Sequence, residues 1–248
     1  MKRGAAARGF VLWTALVWAL SLACYLPMLL ERRGWRVPAA AVSLKYGFVL
    51  VPLGVSAAFA LSGRSLRTWL AASFSQRIRL SSVLLGVLFG GVGLALSYGY
   101  GIGTGEPDLV SRAYPAARSA AAACAYLWMT ALLEELAWRG FLLRRASAAA
   151  GERFALAYTA LAWAVWHIPM WYIRNSLSWG EIAVYFTGTV LLSLLLGLYF
   201  LRYGNVLTLS LLHMLFNTCF LMPMACTIPV LGVLLAAAAF AGRFRQAG

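Results

Sequence analysis

Long apolar runs recur along the whole chain, and they constrain its fold more than any other feature of the sequence. Each run has about 18 to 25 residues, which is enough for an α-helix to cross roughly 30 Å of hydrocarbon. The sequence therefore predicts an all-α fold, a polytopic transmembrane helix bundle of about eight spans. The runs cover residues 10–30, 42–61, 80–101, 119–143, 154–173, 182–203, 205–222 and 224–241.

The composition excludes an ordinary soluble domain. Of the 248 residues, 62% are hydrophobic and 11% are charged, whereas roughly a quarter of the residues in a globular protein are charged. The longest loops between the apolar runs, 62–79 and 102–118, are too short to hold a soluble domain. We therefore expect a single transmembrane domain over residues 1–248.

The formal net charge of +14 comes from basic residues that crowd the loops between the apolar runs. Anionic lipid head groups lie at that level of a membrane, so the lipid bilayer is a sufficient partner and no nucleic acid is expected. Most of the Lys and Arg residues fall at the chain ends and in the even-numbered loops, which predicts that both termini are cytoplasmic. The high Ala and Arg content is typical of a GC-rich bacterial source, so we expect the bacterial inner membrane.

Ionisable side chains inside the predicted spans are few. Each costs a few kcal/mol in hydrocarbon, so each needs a reason to be there. Among the acidic residues only Glu134 and Glu135 lie inside a span, and so do both histidines of the chain, His167 and His213. A single membrane histidine is often only a hydrogen-bonding group between helices. The concentration of these groups with an arginine and an asparagine favours a functional site over a purely structural network.

Helical spacing indicates which of these side chains share a helix face and can contact one another. Glu135 and Arg139 are four residues apart on one helix face, where they can form an ion pair. Glu134 points about 100° away and has no partner within its own helix, which suits a general base or acid. His213 and Asn217 are also four residues apart and offer an imidazole and a carboxamide to one point in space.

The expected depths of these groups agree. Counting about 1.5 Å per residue from the cytoplasmic end of each run places Glu134, His167, His213 and Asn217 near the middle of the membrane. The fourth run crosses in the opposite direction to the fifth and seventh, so the agreement is not imposed by the run boundaries. We therefore predict that the four side chains meet in one site, inside a polar cavity that water can reach.

These residues form three motifs that resemble those of the CAAX protease and bacteriocin-processing family, E-E-x-x-x-R, F-x-x-x-H and H-x-x-x-N/D. The resemblance covers about 119–222, which we take as the family's catalytic core. One departure is Trp163, which stands where the second motif usually has Phe and which we expect to alter packing more than chemistry. The matching stretches are Glu134-Glu135-x-x-x-Arg139, Trp163-x-x-x-His167 and His213-x-x-x-Asn217.

The resemblance implies an intramembrane endopeptidase that acts on a membrane-anchored protein or peptide and needs no cofactor. Carried over by motif, Glu134 and His167 would activate the attacking water, and His213 and Asn217 would hydrogen-bond the developing oxyanion. Glu135 and Arg139 would support them. Protein prenylation is not expected in a bacterium, so removal of a C-terminal membrane anchor or sorting segment is one task that would fit.

Three alternatives stay open. Glu134, His167 and His213 could instead bind zinc, because two histidines and one carboxylate are a familiar catalytic set; the absence of HExxH and the presence of an asparagine favour the metal-free version.

A proton-coupled transporter would also use buried Glu and His, but it predicts two corresponding halves with broken helices, which the sequence does not show. The chain could also be a non-catalytic family member, such as a bacteriocin-immunity or partner-binding membrane protein, although its motif positions are intact.

Overall fold

The computed structural model describes residues 2–78, part of 80–92, and residues 120–219. Every regular element in these ranges is helical, and three helices are long and apolar enough to cross a bilayer. The predicted all-α membrane bundle is confirmed by these elements. Most of the predicted span at 80–101 and all of that at 224–241 lie outside the described residues, so the number eight stays a prediction. The three long helices are Arg8–Arg32, Ala39–Ser62 and Trp179–Tyr203.

The N-terminal part of the chain forms a hairpin of two long helical stretches. The first stretch packs against both the 3₁₀-helical and the α-helical portion of the second. A short helix then lies within the basic loop predicted at 62–79. The elements are α1 (Lys2–Arg32), α2 (Ala39–Val42), a 3₁₀-helix (Ser43–Val49), α3 (Leu50–Ser62) and α4 (Leu66–Phe74).

The part of the chain that carries the three motifs forms five further α-helices and two π-helical segments. Helix α5 packs along α9, so these two motif helices are neighbours, while α7 packs along α8 and against the first π-helical segment. The elements are α5 (Ala120–Ala137), a first π-helical segment (Trp138–Leu143), α6 (Arg144–Ala150), α7 (Glu152–Pro169), a second π-helical segment (Met170–Arg174), α8 (Trp179–Tyr203) and α9 (Val206–Cys219).

The ends of α8 show why it begins and stops where it does. The Ser178 hydroxyl accepts a hydrogen bond from the Glu181 amide, and the Glu181 carboxylate accepts one from the Ser178 amide at 2.8 Å. This reciprocal pair satisfies two amides that the first turn would otherwise leave free. The helix ends at Gly204, whose φ of 63° is left-handed and is readily adopted only by glycine.

Several large aromatic side chains lie in the core of the bundle, and many leucines lie on its outer surface. Four tryptophans are among the largest buried side chains, and each is at most 2% exposed: Trp13, Trp138, Trp163 and Trp166. Helix α1 exposes a series of leucines on its outer face, with Leu12, Leu20 and Leu26 about half exposed. Extended apolar surface of this kind fits contact with lipid rather than with water.

The first π-helical segment overlaps the end of the first motif, and the second begins three residues after the end of the second motif. The first comes after Glu134 and Glu135, and all six of its residues are buried. A Cβ atom at Gly140 would lie 2.6 Å from the Ser73 hydroxyl, so α4 packs on the bare backbone of this segment. The second begins after Pro169, which lacks the amide needed to continue the α-helical ladder. Single π-helical turns within α-helices occur frequently at functional sites.

Candidate active site

One cavity of about 330 Å³ brings together the four residues predicted to be catalytic. Glu134 on α5, His167 on α7, and His213 and Asn217 on α9 all line it. Such a volume can hold several water molecules or part of a peptide. Its walls also include a group of aromatic and polar side chains from four other parts of the fold, namely Phe48, Trp171, Asn175, Tyr185 and Thr189.

The predicted ion pair between Glu135 and Arg139 is present behind the cavity wall. Both side chains are fully buried, and Arg139 Nη1 donates to Glu135 Oε1 at 2.8 Å. Arg139 Nη2 donates to the Ser193 hydroxyl on α8, also at 2.8 Å. The sequence analysis missed Ser193, because a lone serine in an apolar run gives no signal of its direction. The guanidinium is thus tied to two helices, and it holds α5 against α8.

Glu135 has a second neighbour, the imidazole of His213. Nδ1 of His213 lies 2.8 Å from Glu135 Oε1, an ion-pair distance without the alignment of a hydrogen bond. The same carboxylate oxygen therefore faces both Arg139 and His213. This contact occupies one side of the imidazole and leaves Nε2 as the ring nitrogen available to a molecule in the cavity.

His167 is oriented by its own helix. Its Nδ1 lies 2.8 Å from the backbone carbonyl of Trp163, one turn earlier. A carbonyl oxygen only accepts hydrogen bonds, so this contact assigns the proton of the neutral ring to Nδ1. The Nε2 atom then carries a lone pair. The ring also stacks on Trp171, with centroids 5.4 Å apart. His167 is consequently set up to accept a hydrogen bond from water through Nε2.

Glu134 has a partner that spacing within its own helix could not reveal. The indole Nε1 of Trp163 donates to Glu134 Oε2 at 3.0 Å, and the carboxylate is only 7% exposed. The expectation that Trp163 alters packing more than chemistry did not include this bond, which joins the indole to the candidate base. The signal that could have found it is the donor itself: Trp carries an N–H where the family's usual Phe has none.

The three residues of the zinc alternative do not form a metal-binding group. Within the described ranges, no cluster of three His, Cys, Asp or Glu side chains is arranged to hold a metal ion. Glu134, His167 and His213 line the same cavity without meeting that geometry. These three donors suit zinc by type but are not grouped around one point in the described part of the chain.

Comparison with known proteins singles out the segment that supplies these helices. No curated protein matches the chain. All three motifs fall within a stretch of 104 residues that does match a known family. Residues 116–219 match the family model described as type II CAAX prenyl endopeptidase Rce1-like, which confirms the resemblance to the CAAX-protease family that the three motifs predicted.

Proposed function

We propose that the protein is an intramembrane endopeptidase that hydrolyses a peptide bond of a membrane-associated protein without a metal. The family match supports peptide hydrolysis in general, and the long apolar helices support an integral membrane protein. The observation that carries the finer proposal is the cavity in which Glu134, His167, His213 and Asn217 meet.

In the proposed reaction, a water molecule in the cavity donates hydrogen bonds to the Glu134 carboxylate and to Nε2 of His167. Glu134 takes a proton from this water as the water oxygen attacks the carbonyl carbon of the scissile bond. A C–O bond forms and the carbonyl oxygen becomes an oxyanion. Glu134 then returns the proton to the leaving nitrogen as the C–N bond breaks, so the enzyme ends in its starting state.

The oxyanion is stabilised from α9. The Asn217 side-chain amide donates one hydrogen bond. His213 faces Glu135 through Nδ1, and a proton on its Nε2 would donate the second hydrogen bond to the oxyanion. The buried Glu135 and Arg139 pair thus supports the oxyanion site from behind, since Glu135 contacts His213 directly.

The expected setting is the bacterial inner membrane, with both termini in the cytoplasm. The distribution of basic residues supports this orientation. Because the cavity lies among apolar helices, the substrate reaches it within the membrane or along its surface. A membrane anchor or sorting segment near a protein terminus is the substrate class that we propose.

The test is a comparison of protein termini in membranes from cells that lack the protein, express it, or express Glu134→Gln. New termini should appear with the wild-type protein only. The variant is a matched control, because glutamine keeps the size of the side chain and can still accept the Trp163 hydrogen bond. Identical termini in wild-type and variant membranes, at equal protein levels, would refute the proposed protease.

A further inference from the structure

We infer that Trp163 is a positioning residue that fixes both water-activating groups, Glu134 through its indole N–H and His167 through its backbone carbonyl. The inference rests on the proposed function. The usual Phe at this position of the second motif has no N–H group and so could not hold Glu134 in this way. Trp163 is 2% exposed and lines the cavity, so water does not compete freely for its contacts.

Each of the two contacts uses one polar atom and leaves another for the reaction. The indole holds Glu134 Oε2 at 3.0 Å, which leaves Oε1 for the water molecule. The Trp163 carbonyl lies 2.8 Å from Nδ1 of His167, which leaves Nε2. Indole has a single donor and no acceptor, so the contact with Glu134 has only one possible direction. Trp163 therefore orients both atoms that would accept hydrogen bonds from the proposed water molecule, Glu134 Oε1 and His167 Nε2.

The indole itself is held in place by its neighbours. The Arg139 guanidinium carbon lies over its ring, 4.7 Å from the centroid. The imidazoles of His167 and His213 contact it at nearly perpendicular angles, with centroids 4.8 and 5.3 Å away. A cation over an indole face and edge-to-face aromatic contacts are both attractive. The ring cannot turn away from Glu134 without disturbing these three side chains.

Removing only the N–H group separates this role from packing. Trp163→Phe keeps an aromatic ring and the backbone carbonyl but loses the donor. Replacement of Trp163 by benzothienylalanine, in which sulfur takes the place of the indole N–H, keeps nearly the whole shape as well. Hydrogen bonds to charged groups contribute about 1.5 to 3 kcal/mol. We therefore expect kcat to fall roughly tenfold to a hundredfold in both variants.

The kinetic test uses a quenched fluorescent peptide that spans the cleavage site mapped by the terminus comparison, with the protein in liposomes. The KM should change by less than about twofold, since the substituted group positions the base and adds no substrate contact. Trp13→Phe is the matched control. Trp13 is also fully buried and donates from Nε1 to the Ser56 hydroxyl at 3.1 Å, away from the cavity. The Trp13→Phe variant should keep the wild-type kcat and KM.

A second measurement does not depend on activity. In protein labelled with ¹⁵N-tryptophan, the Trp163 indole resonance is assigned by its loss in Trp163→Phe. It should shift and exchange faster with solvent when Glu134 is replaced by Ala, whereas the Trp13 resonance should stay in place. A Trp163 resonance unmoved by Glu134→Ala would overturn the inference even in an active protease, as would wild-type kcat in the benzothienylalanine variant. Absence of cleavage by the wild-type protein, with the resonance shifted, would instead refute the proposed function.

Discussion

Replacing Arg139 by Met removes one charge of the buried ion pair and keeps a side chain of similar length. The partner, Glu135, is fully buried and would be left charged beside His213 with its strongest neighbour gone. Breaking a buried pair in this way costs about 3 to 5 kcal/mol. The bond to Ser193 at 2.8 Å is lost as well, so we expect the upper part of that range.

The measurement is thermal unfolding of the purified protein in detergent. For a chain of this size, 1 kcal/mol shifts Tm by roughly 2 to 4 °C, so a loss in the upper part of that range should lower the Tm of Arg139→Met by roughly 8 to 20 °C. Glu134→Gln serves as the control. This variant also removes a buried charge, but the contact of Glu134 is the neutral Trp163 indole, so no partner is left with an uncompensated charge. The Tm of Glu134→Gln should therefore stay within a few degrees of wild type.

The double variant Glu135→Gln with Arg139→Met decides whether the ion pair is the cause. Because both charges leave together, no uncompensated charge remains, and the double variant should be more stable than Arg139→Met alone. Losses that simply add across the two single variants would show that the residues act independently. That outcome would refute the reasoning given for the pair.

Three further results are expected. Asn217→Ala should bind substrate with nearly the wild-type KM but turn it over at least about a hundredfold more slowly, as steady-state kinetics would show, because an oxyanion donor acts mainly in the transition state. Activity should survive exhaustive dialysis against a chelator, and loss of activity that zinc alone restores would replace the metal-free mechanism. Glu134→Gln should abolish cleavage of the fluorescent peptide while the protein still inserts into membranes, and a wild-type rate would remove Glu134 as the base.

The sequence predicted those features that depend on one helix at a time. Continuous apolar runs located both ends of α8 within three residues and the C-terminal end of α1 within two, although α1 begins eight residues before its run. Four-residue spacing predicted the contact between Glu135 and Arg139. The common depth of the motif residues, which line one cavity, also followed from counting residues along each run. In each case the property is set by helix geometry alone.

Features that depend on how two helices are rotated against each other were not predictable. Whether the indole of Trp163 points at Glu134 or away from it depends on the rotation of α7 relative to α5, which spacing within one helix does not determine. The same holds for the contact of Ser193 with Arg139 across α8. The π-helical segments were missed because hydrophobic patterns do not distinguish an i→i+5 turn from an α-helical one.

The first π-helical segment makes the length of the chain at this point as important as its composition. If the residues between positions 138 and 143 formed an ordinary α-helix with none of them removed, the surplus residue would turn everything downstream by about 100° relative to Glu134. Arg144, whose Nη2 donates to the Ala72 carbonyl at 2.8 Å, would then lose the end of α4. The extra residue of this segment therefore determines whether α6 and the first motif face their partners at the same time.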